Sequence, residues 1–106
     1  MAIQVNVNDG NDDIKIKILG RFDFSEHKAF RDAYSKIDPT QASITIDLSK
    51  TIYMDSAALG MLLVLRERAG GNHSDITIVG FNESVGQILQ ISRFENLFKV
   101  LNTQVA

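Results

Sequence analysis

The chain has 106 residues, 44% of them apolar and 23% charged, enough for a single packed core, and one domain spanning residues 1–106 is expected. Its formal net charge of -2, with no block of Lys and Arg, lacks the electrostatic footprint of a nucleic-acid binder. Cysteine is absent, which excludes a disulfide framework and a thiolate zinc site and suits a reducing, cytoplasmic compartment.

Met1 to Asp9 carries no basic region followed by an apolar stretch, so it does not read as a signal peptide. Ala57 to Leu65, the longest apolar run, falls far short of the roughly 20 residues that cross a bilayer. A soluble protein with no membrane partner is expected.

Ile3 to Val7 and Ile14 to Ile18 alternate at period two around Asp9, Gly10 and Asn11, the signal of a β-hairpin. Ile14, Ile16 and Ile18 should face inward while Lys15 and Lys17 face water, with Leu19, Gly20 and Arg21 closing the strand. Ser25 is the expected cap of a first helix, with Phe30, Ala33, Tyr34 and Ile37 at helical spacing and Pro39 as its end. Phe22, Phe24 and Phe30 read as core or helix-start packing. Ile44 to Leu48 is the next strand, and Ser49 to Tyr53 lead as a loop toward Asp55 and Ser56.

A second helix is expected from Ser56 to about Arg68, stopped by Gly70 and Gly71, which adopt left-handed backbone readily. Ile76 to Val79 is a short apolar strand. Asn82 caps a third helix with Val85, Ile88, Leu89 and Ile91 along one face, and Phe94 to Leu101 supplies a turn and an edge strand. The order is that of an α/β fold: a mixed β-sheet, with an antiparallel amino-terminal hairpin followed by parallel crossover strands, and helices packed against it.

The most informative stretch is Ile52-Tyr53-Met54-Asp55-Ser56-Ala57-Ala58-Leu59-Gly60. It places a hydroxyl where a helix begins, amid unpaired N–H groups at the positive end of the helix dipole. With Leu59, Leu62 and Leu65 toward the sheet, Ala57, Gly60, Met61 and Val64 form an uncharged outer stripe suited to docking another protein. A phosphate on Ser56 adds about two negative charges at the end of that stripe and opposes any partner that buries it. On spacing alone the commoner reading of such a serine is a helix cap.

The stretch resembles the STAS domain of anti-sigma factor antagonists, in which Asp-Ser, a small residue, then Gly or Ala, then Leu open a phosphoregulated helix; here these are Asp55, Ser56, Ala57, Ala58 and Leu59. Gly20-Arg21-Phe22-Asp23 is similar to the family's Gly-x-Leu-Asp at the end of its second strand, Ile46-Asp47-Leu48-Ser49 to its third strand, and Leu97-Phe98-Lys99-Val100 to its carboxy-terminal pattern. Two positions depart from it. Ala57 stands where many relatives carry a second hydroxyl, leaving Ser56 as the acceptor, and Ala58 replaces the usual glycine. Little chain follows Val100, which puts the final helix of many relatives in question.

The resemblance implies a partner switch without a cofactor or catalytic residues of its own. The unphosphorylated protein binds a serine kinase of histidine-kinase-like fold that doubles as an anti-sigma factor, phosphorylation of Ser56 releases it, and a metal-dependent serine phosphatase resets the system. Asp55 and Asp23 would border the acceptor, although a purely local turn role stands beside the functional one for Asp23. The alternative keeps the fold and drops the switch, making the chain a non-phosphorylated subunit of a transporter or stress-sensing complex.

Enzymatic chemistry finds little support. No nucleophile-elbow glycine pattern surrounds Ser56, His27 and His73 lack partners at metal-ligand spacing, and Gly70-Gly71-Asn72-His73 follows a helix without the Lys of a phosphate loop. A small-molecule sensor ranks last, because no convergent polar set is visible.

Overall fold

The computed structural model describes residues 3–101, and the segment in which a final helix would lie falls outside them. β1 (Ile3–Val7) and β2 (Asp13–Phe22) form the antiparallel hairpin, and β3 (Ser43–Met54), β4 (Asp75–Val79) and β5 (Lys99–Leu101) add in parallel, giving the order β1-β2-β3-β4-β5. The connections carry α1 (His27–Tyr34), α2 (Ser56–Arg68) and α3 (Glu83–Ile91).

The alternation in β2 and β3 decides which face is covered. Ile14, Ile16, Ile18, Ile44 and Ile46 are buried in one continuous core with Phe30, Leu62, Leu65, Val85 and Leu89 from the helices. Lys15, Lys17 and Thr45 point to the other face and stay half-exposed. The sheet is thus packed on one side and largely solvated on the other.

One strand outruns the sequence expectation. Ser49 to Tyr53 is strand, not loop, whereas β2 runs through Leu19, Gly20 and Arg21 to Phe22, where the Gly20–Asp23 pattern ends it. β4 pairs with β3 only as far as Asp47↔Val79, so beyond that point β2 and β3 run on as a two-stranded extension, with register shifts, to the pair Phe22↔Met54. Alternation is a weak signal here because the extension twists and bulges, which exposes Ile52 and Tyr53 in succession.

Side chains repair the ladder where it bulges. The buried Thr51 hydroxyl donates to the Ile18 carbonyl at 2.8 Å, and the Asn82 amide donates to the Thr51 carbonyl at 3.2 Å. Replacing Thr51 by Val removes that donor at constant shape and should cost about 1–2 kcal/mol, a fall of several degrees in Tm measured by calorimetry.

Asp47, 2% exposed, accepts from the Ser49 N–H at 2.9 Å. Gly80 closes over it with φ of 77°, and a Cβ there would lie 3.2 Å from the Asp47 carboxylate and 3.1 Å from the Ser49 Cβ. Glycine answers both the backbone conformation and the lack of space.

Candidate functional site

The β2–β3 extension ends on two aspartates at adjacent backbone positions. Asp23 and Asp55 directly follow the paired residues Phe22 and Met54, and neighbouring strands lie about 4.8 Å apart. Each carboxylate then starts a helical segment. Asp23 accepts from the Ser25 N–H at 3.0 Å and from the Ser25 hydroxyl, capping a 3-10 turn (Phe24–Glu26) that runs into α1. Ser25, the expected cap, lies inside that turn: a carboxylate two residues earlier reaches the same N–H groups.

Asp55 is the cap of α2 and accepts from the Ala58 N–H at 3.0 Å. Ser56 is therefore the first residue of the helix, exposed, and among the described residues no hydrogen bond holds its hydroxyl. Removing the cap with Asp55→Ala should cost about 1 kcal/mol by urea denaturation, with Asp55→Asn retaining most of it.

Along α2, Ala58, Leu62, Leu65 and, at the end, Ala69 are fully buried against the core. Leu62 and Leu65 lie toward the sheet as expected, whereas Leu59 is only half-buried at the margin of the core, because Ala58 takes the inward place in the first turn. Ala57, Gly60 and Val64 face away from the sheet, Val64 at 49% exposure. Met61 differs from the expectation of an outward residue: at 7% exposure it forms a floor and not a knob, because α1 lies beside it. A helix with apolar residues on nearly every side hides in sequence how wide its buried side is.

The outer side of α2 is one wall of a groove of about 410 Å³. α1 and the turn before it supply the other wall, through Phe24, His27, Phe30, Arg31 and Tyr34. Phe24, expected in the packing, is 67% exposed and stacks on His27 at 5.2 Å, forming the rim. Phe30 is buried between Phe22, with ring centroids 5.3 Å apart, and Tyr34 at 5.8 Å. The helical spacing of Phe30 and Tyr34 was visible in sequence, but which helix they would face across a gap was not. α1 also stops at Tyr34 instead of reaching Pro39, which starts a separate 3-10 turn capped by Asp38.

Electrostatics differ along the groove. At the mouth, hydrogen bonding from Ser25 holds the Asp23 carboxyl below the usual carboxylate range against the opposing effect of burial, with a smaller contribution from Arg21 at 3.4 Å. Arg21 also lies 4.0 Å over the Tyr53 ring. At the far end, burial pushes the Tyr34 phenol up, while the cations of Arg68 and Arg31 pull it down.

Asp75 is likewise held low, first by the Ser43 hydroxyl and then by Lys99 at 3.1 Å. Both carboxylates have depressed folded values, so their contribution to stability is complete above the ordinary carboxylate pKa of about 3.9 and is lost as pH falls through the lower folded values. The urea midpoint should accordingly drop as pH falls below about 4, and drop less when Asp23 and Asp75 are both replaced by Asn.

His27 and His73 are exposed, and among the described residues no cluster of His, Asp or Glu is placed to hold a metal ion. No helix among them is long and apolar enough to cross a membrane.

Residues 5–101 match the family described as Mlab, STAS domain. The chain belongs to the STAS domain family. A STAS-domain containing protein of Pseudomonas aeruginosa is 44% identical over 100 residues, covering 94% of this chain and 99% of that protein.

Among solved structures, the anti-sigma factor antagonist SpoIIAA in its unphosphorylated form superposes with a TM-score of 0.72 at 13% identity, over 97% of this STAS chain and 90% of that one. The phosphorylated form of the Bacillus protein superposes with a TM-score of 0.70 at 14% identity, over 95% and 92%. The fold is that of the anti-sigma factor antagonists. The mixed sheet and the order of its strands and helices follow the sequence expectation.

Proposed function

We propose that this STAS protein is a phosphoregulated binding switch of the anti-sigma factor antagonist type. Its unphosphorylated form binds a cognate serine kinase and anti-sigma factor of histidine-kinase-like fold, phosphorylation of Ser56 releases that partner, and a metal-dependent serine phosphatase restores binding. The protein contributes a substrate hydroxyl and a docking surface; it performs no catalysis and acts in the cytoplasm.

The supporting observation is the separation of roles at the head of α2: Asp55 caps the helix, which leaves the Ser56 hydroxyl exposed and free of a structural duty. The N–H groups at a helix start and the positive helix end receive a phosphate without requiring the helix to melt. Ala57, Gly60 and Val64 begin directly beyond Ser56, so the modification sits at the edge of the surface that a partner covers. Asp23 and Asp55 place negative charge at the same edge.

Incubation with the cognate kinase and ATP should add one phosphate, located by peptide mass spectrometry at Ser56. Efficient modification elsewhere, with Ser56 untouched, would remove the site from the proposal.

A second reading, a STAS subunit of a larger assembly that is never phosphorylated, draws on apolar side chains outside the groove. Ile52 is 69% and Ile91 82% exposed, and neither lines the groove. Phosphate at Ser56 in protein purified from cells separates the two readings.

A further inference from the structure

We infer that the groove between α1 and α2 receives an amphipathic helix of the partner, about three turns long, with acidic side chains at the end that meets Arg31 and Arg68. The inference rests on the binding role proposed above and specifies the chemistry of what is bound.

The first argument is shape. The cavity that starts at Phe24 and Ala57 adjoins a second of about 370 Å³ lined by Ile37, Pro39 and Arg68, and the two share Arg31 and Tyr34. α1 and α2 both cross between parallel strands, so they run in the same direction and the groove follows their length. From Ala57 to Arg68 it extends about 16 Å at the rise of an α-helix, too long for a compact metabolite and matched to three helical turns. Its floor is Met61, an adaptable side chain, and Gly60 leaves room for close approach of a backbone, since a Cβ there would meet nothing within 4 Å.

The second argument is charge. No carboxylate lines either section. Arg31, where the two sections meet, and Arg68, in the second section, are exposed, and among the described residues neither takes part in an ion pair. Two cations along the Tyr34 half of the groove, with no carboxylate beside them in its lining, complement a helix whose apolar face ends in Glu or Asp. The opposite end is bordered by Asp23, Asp55 and Ser56, so the charge pattern also sets the direction in which the helix lies.

The test uses the full chain, unphosphorylated, and a synthetic amphipathic peptide of about 14 residues with Leu at helical spacing and Glu at one end, against the same peptide with Lys in place of Glu. The Glu peptide should bind at least about tenfold more tightly by fluorescence anisotropy and shift the amide resonances of Gly60, Val64 and Arg31. Arg31→Glu with Arg68→Glu, both surface changes, should invert the preference, and Val64→Glu should abolish binding of both peptides while leaving the spectrum folded.

Equal affinity for the two peptides, no binding at about 1 mM, or resonance shifts confined elsewhere would overturn the inference. So would a Val64-dependent dimer of this chain, which would make a second copy the occupant. The Ser56 switch fails separately: if the Glu peptide binds in the groove but the cognate kinase leaves Ser56 unmodified, the groove stands and the switch does not.

Discussion

Phosphorylation of Ser56 should weaken binding of the cognate kinase by at least about thirtyfold, roughly 2 kcal/mol, while leaving the protein as heat-stable as before. The two halves of this result have separate causes. A phosphate at the first residue of α2 meets unpaired N–H groups and the positive helix end, which offsets repulsion from Asp55 and keeps the helix formed. Its doubled charge nevertheless faces whatever covers Ala57, Gly60 and Val64, and burying that charge against an uncharged contact is costly.

Ser56→Ala should remain bound. Ser56→Asp should bind weakly, although a carboxylate carries about half the phosphate's charge. Titration calorimetry of the two variants with the kinase, alongside thermal melts, checks the prediction. Equal affinities would remove the electrostatic basis of the switch, and a loss of binding accompanied by a loss of Tm would point to unfolding instead.

Phe22→Ala should destabilise the fold by about 3–5 kcal/mol, the largest loss expected from a single truncation near the site. Phe22 has no exposed surface and packs against Phe30, which in turn meets Tyr34. Removing the ring leaves a void beneath α1 that close-packed neighbours fill only in part. Because α1 is short, its position depends on this contact, and the α1 wall of the groove should loosen with it. Guanidinium denaturation gives the stability loss, and hydrogen exchange in α1 compared with β3 reports whether the damage concentrates at that wall. Phe22→Leu, which keeps most of the volume, should recover more than half.

Much of this was legible in the chain before folding. The alternation of Ile14, Ile16 and Ile18, the cap at Asn82 and the stop at Gly70 each follow from local chemistry, and local chemistry was enough to order the elements. What escaped was set by tertiary context. Ser49 to Tyr53 carries no simple alternation because the bulged extension exposes adjacent residues, so a strand read as a loop. Met61 was covered against expectation because α2 is apolar on almost every side and the neighbouring helix, not the pattern, decides which residue is covered. The contribution of Phe24, His27 and Arg31 to the groove was hidden for the same reason, as was the capping role of Asp55, which spacing shared with Ser56.

The carboxylate that anchors the start of α2 is not the residue proposed to carry the signal, and this division of labour has an evolutionary consequence. On the proposed switch, a lineage could retire the signalling chemistry through a single codon at Ser56 and still inherit an undamaged scaffold.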